Sequence, residues 1–179
     1  MRRLIEHSLM TLDGVFADPI SWGYRDYNED ERFRDGLGEV LACDAMLFGR
    51  ASFEASARIF GQRTDAWAAR MAAMKKYIFS STLEKADWNN TTIVRGDPAG
   101  EVAKLKQQDG ADLLIYGHTS LAEALFRERL IDVFEIALYP VVLGHGRRFF
   151  PEGHAAKLRL VATKTYSKGG VKLTYEPQY

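Results

Sequence analysis

The 179-residue chain has a single cysteine, Cys43, which excludes an intrachain disulfide and any multi-cysteine zinc cluster. That usage fits a reducing cytoplasm, the expected location. Net charge is lacking as well. The 24 Lys and Arg balance the 24 Asp and Glu, so no overall field recruits nucleic acid or an anionic membrane. No stretch approaches the roughly 18 uninterrupted apolar residues of a membrane span. The N-terminal segment MRRLIEHSLM carries Glu6 and His7 inside its apolar stretch, so neither a signal peptide nor a span is expected there. No Pro/Ser-rich linker, low-complexity tract or internal repeat divides the chain. His7, His118, His145 and His154 lack metal-ligand spacing, and no acidic pair completes a zinc or iron site, so no metal is expected. A Walker-type Gly-x4-Gly-Lys-[ST] and a Gly-x-Gly-x2-Gly fingerprint are both missing, which leaves a nucleotide to bind by another scheme or not at all. No Ser-His-Asp or Cys-His arrangement supports a hydrolase.

What is present reads as one domain over residues 1–179, with 46% hydrophobic and 27% charged residues, ordinary values for a globular chain. Residues 4–12 read as a strand, followed by the turn-rich loop DGVFADPISWGYRDY. Asn28 is a candidate cap for a helix with Glu29, Asp30 and Glu31 in its first turn and Phe33, Leu37, Val40 and Leu41 on one face. Residues 45–48 form a short buried strand, and a helix starts at Ser52. Residues 64–74 are helical, 76–80 and 91–94 are strands, and Pro98 opens a helix running to about Gln107. A strand at 112–116 leads through Gly117-His118-Thr119-Ser120 into the helix LAEALFRE. The last third is strand-rich, with VFEIALYPVVL, LRLVATKTY and VKLTYE, the last two joined by a hairpin turn at Lys168-Gly169-Gly170. Strand–helix alternation with a β-rich end predicts a three-layer α/β architecture: a mostly parallel mixed sheet, antiparallel C-terminal strands and helices on both faces.

Three strand-to-helix junctions share one character: FGRAS at 48–52, FSST at 79–82 and YGHTS at 116–120. Each sets small or hydroxyl residues beyond the carboxyl end of an apolar strand, where open α/β sheets bind ligands. A helix start offers unpaired N–H groups and a dipole that favours an anion, and glycine permits close approach. Ordinary helix capping explains any one of these junctions. Three together, with Arg50 and Arg95 as cations, point to a ligand carrying several phosphates.

These segments also carry a family resemblance. SLMTLDGVFA at 8–17, LFGRASFE at 47–54, YIFSSTL at 77–83, LLIYGHTSLAEAL at 113–125 and YPVVLGHGRRFF at 139–150 follow one another as in the dihydrofolate reductase-like superfamily. The Leu-Asp-Gly loop and the Pro-Val-Val-Leu-Gly-x-Gly-x-x-Phe segment resemble most closely the reductase half of the riboflavin-biosynthesis protein, the RibD C-terminal domain, in a stand-alone form. The resemblance covers most of the chain. It implies a dihydrofolate reductase-like fold and NADPH as cofactor. Gly49, Arg50, Ala51 and Ser52 would then hold the pyrophosphate or the adenosine side, and Ser80, Ser81 and Thr82 would lie beside the ribose and its 2′-phosphate. Arg95 would pair with that phosphate. Gly117, His118, Thr119, Ser120 and Leu121 would form a second pyrophosphate cradle, with Tyr116 standing where dihydrofolate reductases carry the first of two glycines joined by a cis peptide.

The same resemblance implies hydride transfer to a pteridine-like or ribosylaminopyrimidine-like substrate, as in 5-amino-6-(5-phosphoribosylamino)uracil reductases. His-x-Glu and Pro-Cys-x-x-Cys are absent, so the zinc deaminase half is missing. Asp13 is a candidate catalytic residue because the family's loop covers the nicotinamide there; a turn aspartate before Gly14 is the alternative. Asp30, three residues before Phe33, is the candidate acid on the first helix. Arg147 and Arg148 either face a phosphorylated substrate or solvate a turn. A homodimer through the β-rich end is implied as well, since an uncovered strand edge is an association liability. The competing reading is a nucleotide-binding or interaction module that kept the fold and lost turnover.

Overall fold

In β1 (Leu4–Thr11) the residues Leu4, Ile5, Glu6, His7 and Ser8 are all buried, as expected of a strand covered on both sides. The computed structural model describes residues 1–16, 19–27, 30–150, 152–153 and 155–179. Asn28, Glu29 and His154 lie outside the described residues. After β1 come a 3₁₀ turn (Tyr24–Tyr27), α1 (Asp30–Ala42), β2 (Cys43–Gly49), α2 (Arg50–Phe60) and α3 (Ala66–Ala73). Then follow β3 (Lys75–Phe79), β4 (Thr91–Val94), α4 (Pro98–Gln107), β5 (Asp112–Tyr116) and α5 (Ser120–Arg127). The chain closes with β6 (Val133–Tyr139), β7 (Lys157–Thr165) and β8 (Val171–Gln178).

All eight strands join one sheet in the order β4-β3-β2-β5-β1-β6-β8-β7. The strands from β4 to β6 pair in parallel, while β8 runs antiparallel to both β6 and β7. This is the expected mixed sheet. Val40, Phe53, Trp67 and Met71 from α1–α3 pack with Ile5, Met46 and Leu114 on one face. Val102, Leu105 and Leu125 from α4 and α5 pack with Leu4, Leu47 and Leu113 on the other. The parallel strands therefore end along one shared sheet edge, the edge that carries the three junctions.

Three expectations need correction. The strand at 133–143 stops at Tyr139, because Pro140 lacks the N–H a continuing ladder requires and Val142 is exposed. In α1 the buried positions are Arg32, Gly36 and Val40, whereas Phe33 is 39% and Leu41 55% exposed. Gly36 explains the rotation. A Cβ there would stand 2.7 Å from the Trp67 ring, so only glycine lets α1 approach α3 this closely. α2 also begins two residues earlier than read, at Arg50. The hairpin turn is as expected: Gly169 takes φ of +86° and its N–H donates to the Tyr166 carbonyl.

Candidate functional site

At the end of β2, Gly49 is the N-cap of α2 and no side chain caps the helix, so its first N–H groups have no side-chain acceptor. Ser52 Oγ donates to the Gly49 carbonyl at 3.0 Å, and Ala51 is exposed beside it. Arg50 is half exposed and reaches in two directions, to Glu54 Oε1 at 2.8 Å and to Thr82 Oγ1 at 3.1 Å. It thereby ties the start of α2 to the segment after β3. There Ser80 Oγ accepts from the N–H of Leu83 at 3.0 Å and Ser81 is exposed. Arg95 donates to the carbonyls of Ser80, Ser81 and Leu83 at 3.2, 2.9 and 2.6 Å, so its guanidinium shapes this loop.

The third junction follows β5. Gly117 takes φ of +87°, and no atom lies within 4 Å of the point a Cβ would occupy, which leaves open space against the backbone. Thr119 caps α5, its Oγ1 accepting from the Ala122 N–H at 3.3 Å, and Ser120 is exposed. The described peptide bonds are all trans, Tyr116–Gly117 among them. Two of the candidates turn inward. His118 is 6% exposed, with Nδ1 2.5 Å from Glu6 Oε1 and its ring against Phe16 and Phe149, so its side chain faces away from the open edge. Leu121 packs in the core. Both give the cradle only backbone.

Beside this edge, on the α1–α3 face, lies a cavity of about 720 Å³. Its walls are aromatic: Tyr24, Phe33, Phe60, Trp67, Tyr116 and Tyr139. Its polar lining consists of Arg25, Arg32, Arg63, Ser56 and Gln62, and among the described residues no Asp or Glu lines it. Arg25 and Arg63 are exposed, Arg63 pairing with Asp65 at 2.6 Å, whereas Arg32 is 5% exposed. Tyr116 is half-buried, and its burial pushes the hydroxyl well above the usual phenol value and keeps it protonated.

Behind the cavity runs a chain of buried charges. Arg32 Nη2 lies 3.0 Å from His7 Nε2, and His7 Nδ1 lies 2.7 Å from Glu39 Oε2. Arg32 has no lone pair to offer, so its contact makes Nε2 the acceptor and leaves the ring proton on Nδ1, toward Glu39. Lys172 reaches the other oxygen of Glu39 at 2.7 Å, and Glu135 lies 3.7 Å from both His7 and Lys172. Register explains the grouping: His7 sits opposite Tyr116 on β5 and Glu135 on β6, and its ring stacks on Tyr116 with centroids 5.1 Å apart. Burial alone would raise the Glu39 carboxyl, but His7, Arg32 and Lys172 outweigh it and hold it at about 2. His7, Glu39 and Glu135 bring ligand atoms within 4.8 Å of one another. Lys172 and Arg32 already supply the positive charge there, so a divalent ion would have to displace them.

The two acids expected to act lie elsewhere. Asp30 opens α1, is exposed and does not line the cavity, which Arg32 and Phe33 of the same helix do line. Asp13 accepts from Thr11 Oγ1 at 2.7 Å, from the Gly144 N–H at 2.8 Å and from the Leu143 N–H at 3.2 Å. Those hydrogen bonds, the Thr11 one first, lower its carboxyl to about 2, so it is an anion that joins two loops and does not line the cavity. Arg147 pairs with Glu123, and Arg148 donates to the Asp13 carbonyl at 2.9 Å. Sequence reading missed Arg32, His7 and Trp67. The available signals were two charged residues inside an apolar strand at Glu6-His7 and the glycine pair Gly36 and Gly38 inside a helix.

The expected architecture is shared by solved structures. A putative riboflavin biosynthesis protein from Shewanella sp. PV-4 superposes with a TM-score of 0.75 at 19% identity, covering 99% of both chains. The diaminohydroxyphosphoribosylaminopyrimidine deaminase/5-amino-6-(5-phosphoribosylamino)uracil reductase of Thermotoga maritima gives a TM-score of 0.68 at 15% identity, over 99% of this chain and 57% of that one. Two uncharacterized Bacillus subtilis (strain 168) proteins are similar in sequence. YyaP is 31% identical over 183 residues, covering 97% of this chain and 94% of YyaP. YwjB is 33% identical over 179 residues, covering 97% of each. The family model of the RibD C-terminal domain matches residues 2–172. The chain belongs to the RibD C-terminal domain family.

Proposed function

We propose that this protein is an NADPH-dependent reductase of a planar heterocycle, pteridine-like or ribosylaminopyrimidine-like, of the kind a 5-amino-6-(5-phosphoribosylamino)uracil reductase takes. The observation that carries this reading is one juxtaposition. The uncapped start of α2, the loop shaped by Arg95 and the open Gly117 turn share a sheet edge, and a 720 Å³ aromatic cavity adjoins it.

The donor set fits a dinucleotide. Backbone N–H groups at Ala51 and Ser52, and at Thr119 and Ser120, offer two anion cradles, and the space beside Gly117 admits a phosphate against the chain. Arg50, with Thr82, Ser80 and Ser81 beside it, is the cation for the adenosine-side phosphate, since Arg95 already serves three carbonyls. When bound, the nicotinamide supplies a hydride. The chain's own part is to orient the heterocycle between aromatic walls and to exclude water from it. Asp13 positions the loop at Leu143–Gly144 and gives no proton near neutral pH, so protonation of product falls to solvent or to a lining tyrosine. That absence of a carboxylic acid or histidine from the described lining supports the second reading, a nucleotide-binding module without turnover. A single domain, a cytoplasmic location and a homodimer complete the proposal. Among the described residues no helix is long and apolar enough to cross a membrane. The edge strand β7 exposes Leu160 and Val161 at 51% and 47%, a surface suited to a second copy.

Arg50→Ala tests the cofactor assignment. Loss of a charge-assisted bond of about 1.5–3 kcal/mol weakens NADPH by roughly tenfold to a hundredfold, with thermal stability unchanged. If Arg50 reads the 2′-phosphate, NADH is unaffected; if it reads the pyrophosphate, both weaken together. Unaltered NADPH affinity refutes the site, and NADPH binding with no oxidation at 340 nm across pterin and aminopyrimidine substrates favours the module.

A further inference from the structure

We infer that the cavity selects a planar ring bearing a delocalised oxyanion, a carboxylate or an ionised ring oxygen, and that Arg32, tethered by His7, is the residue that reads it. The inference rests on the cavity being the substrate site and names the chemistry of its ligand.

Three residues that line the cavity carry a buried polar atom without a hydrogen-bond partner: Nε of Arg32, the hydroxyl of Tyr139 and Nε1 of Trp67. The two N–H groups can only donate, and the hydroxyl can donate or accept. Buried polar groups in folded proteins are nearly always paired, and an unmet donor is costly, so unmet donors on residues that line one cavity call for an acceptor that the ligand brings. Among the described residues none of these unmet lining atoms is a pure acceptor, and no Asp or Glu lines the cavity. A ring rich in amino groups, or a protonated one, would find hydroxyl and amide oxygens there but a cation and no carboxylate. Specificity of this kind comes as much from repelling the wrong partner as from holding the right one.

Arg32 suits the role because its own needs are met on one side only. Nη2 is held at 3.0 Å by His7 Nε2, and the guanidinium lies 5.8 Å from the centre of the Tyr166 ring. No carboxylate is in hydrogen-bond contact with it; Glu39 is reached through His7. Nη2 spends one N–H on His7 and keeps a second, which together with a neighbouring N–H of the guanidinium can bind a planar oxyanion with two parallel bonds. His7 is a positioning residue here, since it can accept from Arg32 only while Nδ1 keeps its proton toward Glu39.

Titration calorimetry without nucleotide tests this with two rings of equal size and opposite chemistry. 2,4-Dioxopteridine-6-carboxylate presents acceptors and a negative charge, and 2,4-diaminopteridine presents donors. The dioxo carboxylate is expected to bind the wild-type protein at least tenfold more tightly. Arg32→Lys keeps the charge but loses the fork, and should weaken that ring about tenfold while leaving the diamino ring unchanged or tighter. His7→Gln offers an amide oxygen to Arg32 and an amide N–H to Glu39, and should stay within about threefold of wild type, whereas His7→Leu should lose about tenfold. A wild-type preference for the diamino ring, no binding of the dioxo carboxylate, or an Arg32→Lys protein that binds it as tightly as wild type overturns the inference. NADPH affinity, measured separately on Arg50→Ala, keeps the two readings apart. Nucleotide binding with the wrong ring preference sinks only the present one, and the right ring preference without nucleotide binding sinks only the reductase.

Discussion

Glu6 and His7 are neighbours in β1, and because strand residues alternate they open onto opposite faces of the sheet. On the His7 face the acid is Glu39, met by His7 at 2.7 Å and Lys172 at 2.7 Å, with Arg32 one residue further along the chain of contacts. On the other face the acid is Glu6 itself, fully buried, met by His118 at 2.5 Å and by Ser8 at 3.4 Å. Its second oxygen has no partner, and Glu123 adds like charge nearby. Burial dominates Glu6 and raises its carboxyl above the usual range in spite of His118, whereas Glu39, also buried, is held at about 2. The two glutamates thus shift in opposite directions, because Glu39 has Lys172 and Arg32 as well as His7 around it and Glu6 has His118 and Ser8. The well-compensated network borders the cavity and sets Arg32. The under-compensated pair is closed over by Phe16 and Phe149.

The largest effect expected from breaking this contrast is at Glu39. Glu39→Gln takes the nearer carboxylate from Lys172 and the anion behind His7 and Arg32, leaving Glu135 at 3.7 Å, and should cost about 3–5 kcal/mol, the usual price of unpairing a buried charge. Glu6→Gln removes a poorly held charge and should change stability by less than about 1 kcal/mol at pH 7. Urea unfolding of both variants measures the difference, and equal losses would show that the two sites are alike. The pH dependence sharpens the point because the signs are opposite. A depressed carboxyl stabilises above its unfolded value and loses that contribution as pH falls, here from about 4.5 toward 2, a range worth about 3 kcal/mol. A raised carboxyl binds its proton more tightly when folded, so Glu6 lowers stability as pH rises through and beyond 4.5. Unfolding free energies followed from pH 3 to pH 7 should therefore fall less on acidification in Glu39→Gln than in wild type. In Glu6→Gln they should gain relative to wild type as pH rises.

A smaller effect belongs to Gly36, which brings α1 to the cavity. A methyl group there would meet the Trp67 ring at 2.7 Å and Arg32 Nη1 at 2.8 Å. Gly36→Ala should cost about 1–3 kcal/mol through overpacking, offset in part by alanine's helix preference of about 1 kcal/mol. Because Trp67 and Arg32 both line the cavity, ligand affinity should fall along with the melting temperature. A more stable Gly36→Ala protein with intact affinity would mean that α1 and α3 are not set by this contact.

Most of the architecture was legible because apolar runs and turn formers mark it locally. Thr91–Val94, Pro98–Gln107 and Asp112–Tyr116 fall where the pattern puts them, and Pro98 and Asp97 act as the first-turn proline and cap expected of a helix start. The three junctions do meet at one edge, since parallel strands must end together. The cavity was not legible. Its central arginine sits at the i position of an i, i+4, i+8 face, Arg32-Gly36-Val40, and an arginine and a glycine carry no apolar signal. The face read through Phe33, Leu37, Val40 and Leu41 holds at Val40, Leu37 and Phe33 and fails at the exposed Leu41, and Asp30, assigned to it, lies outside the cavity. His118 misled for a related reason. Its residue type suits a phosphate, but its partner Glu6 is 112 residues away and comes beside it only through the pairing of β1 with β5.

The smallest effect is expected at Asp13, a third acid that sharpens the comparison by lacking burial altogether. Its carboxyl lies near 2, like that of Glu39, but the cause is local: the Thr11 hydroxyl and the N–H groups of Gly144 and Leu143 donate to it. No cation network stands behind it, so removing the charge should not reach the core. Asp13→Asn keeps one oxygen as an acceptor and replaces the other with a donor, which faces N–H groups and loses their bonds. Amide exchange at Leu143 and Gly144 should speed up several-fold while the global unfolding transition stays where it was. The same variant separates the two roles the loop position allows. If Asp13 only joins the loops, turnover changes in step with the loosened 143–144 segment and keeps its pH profile. If it moves a proton in the reaction, the limb of the profile that reports its ionisation disappears.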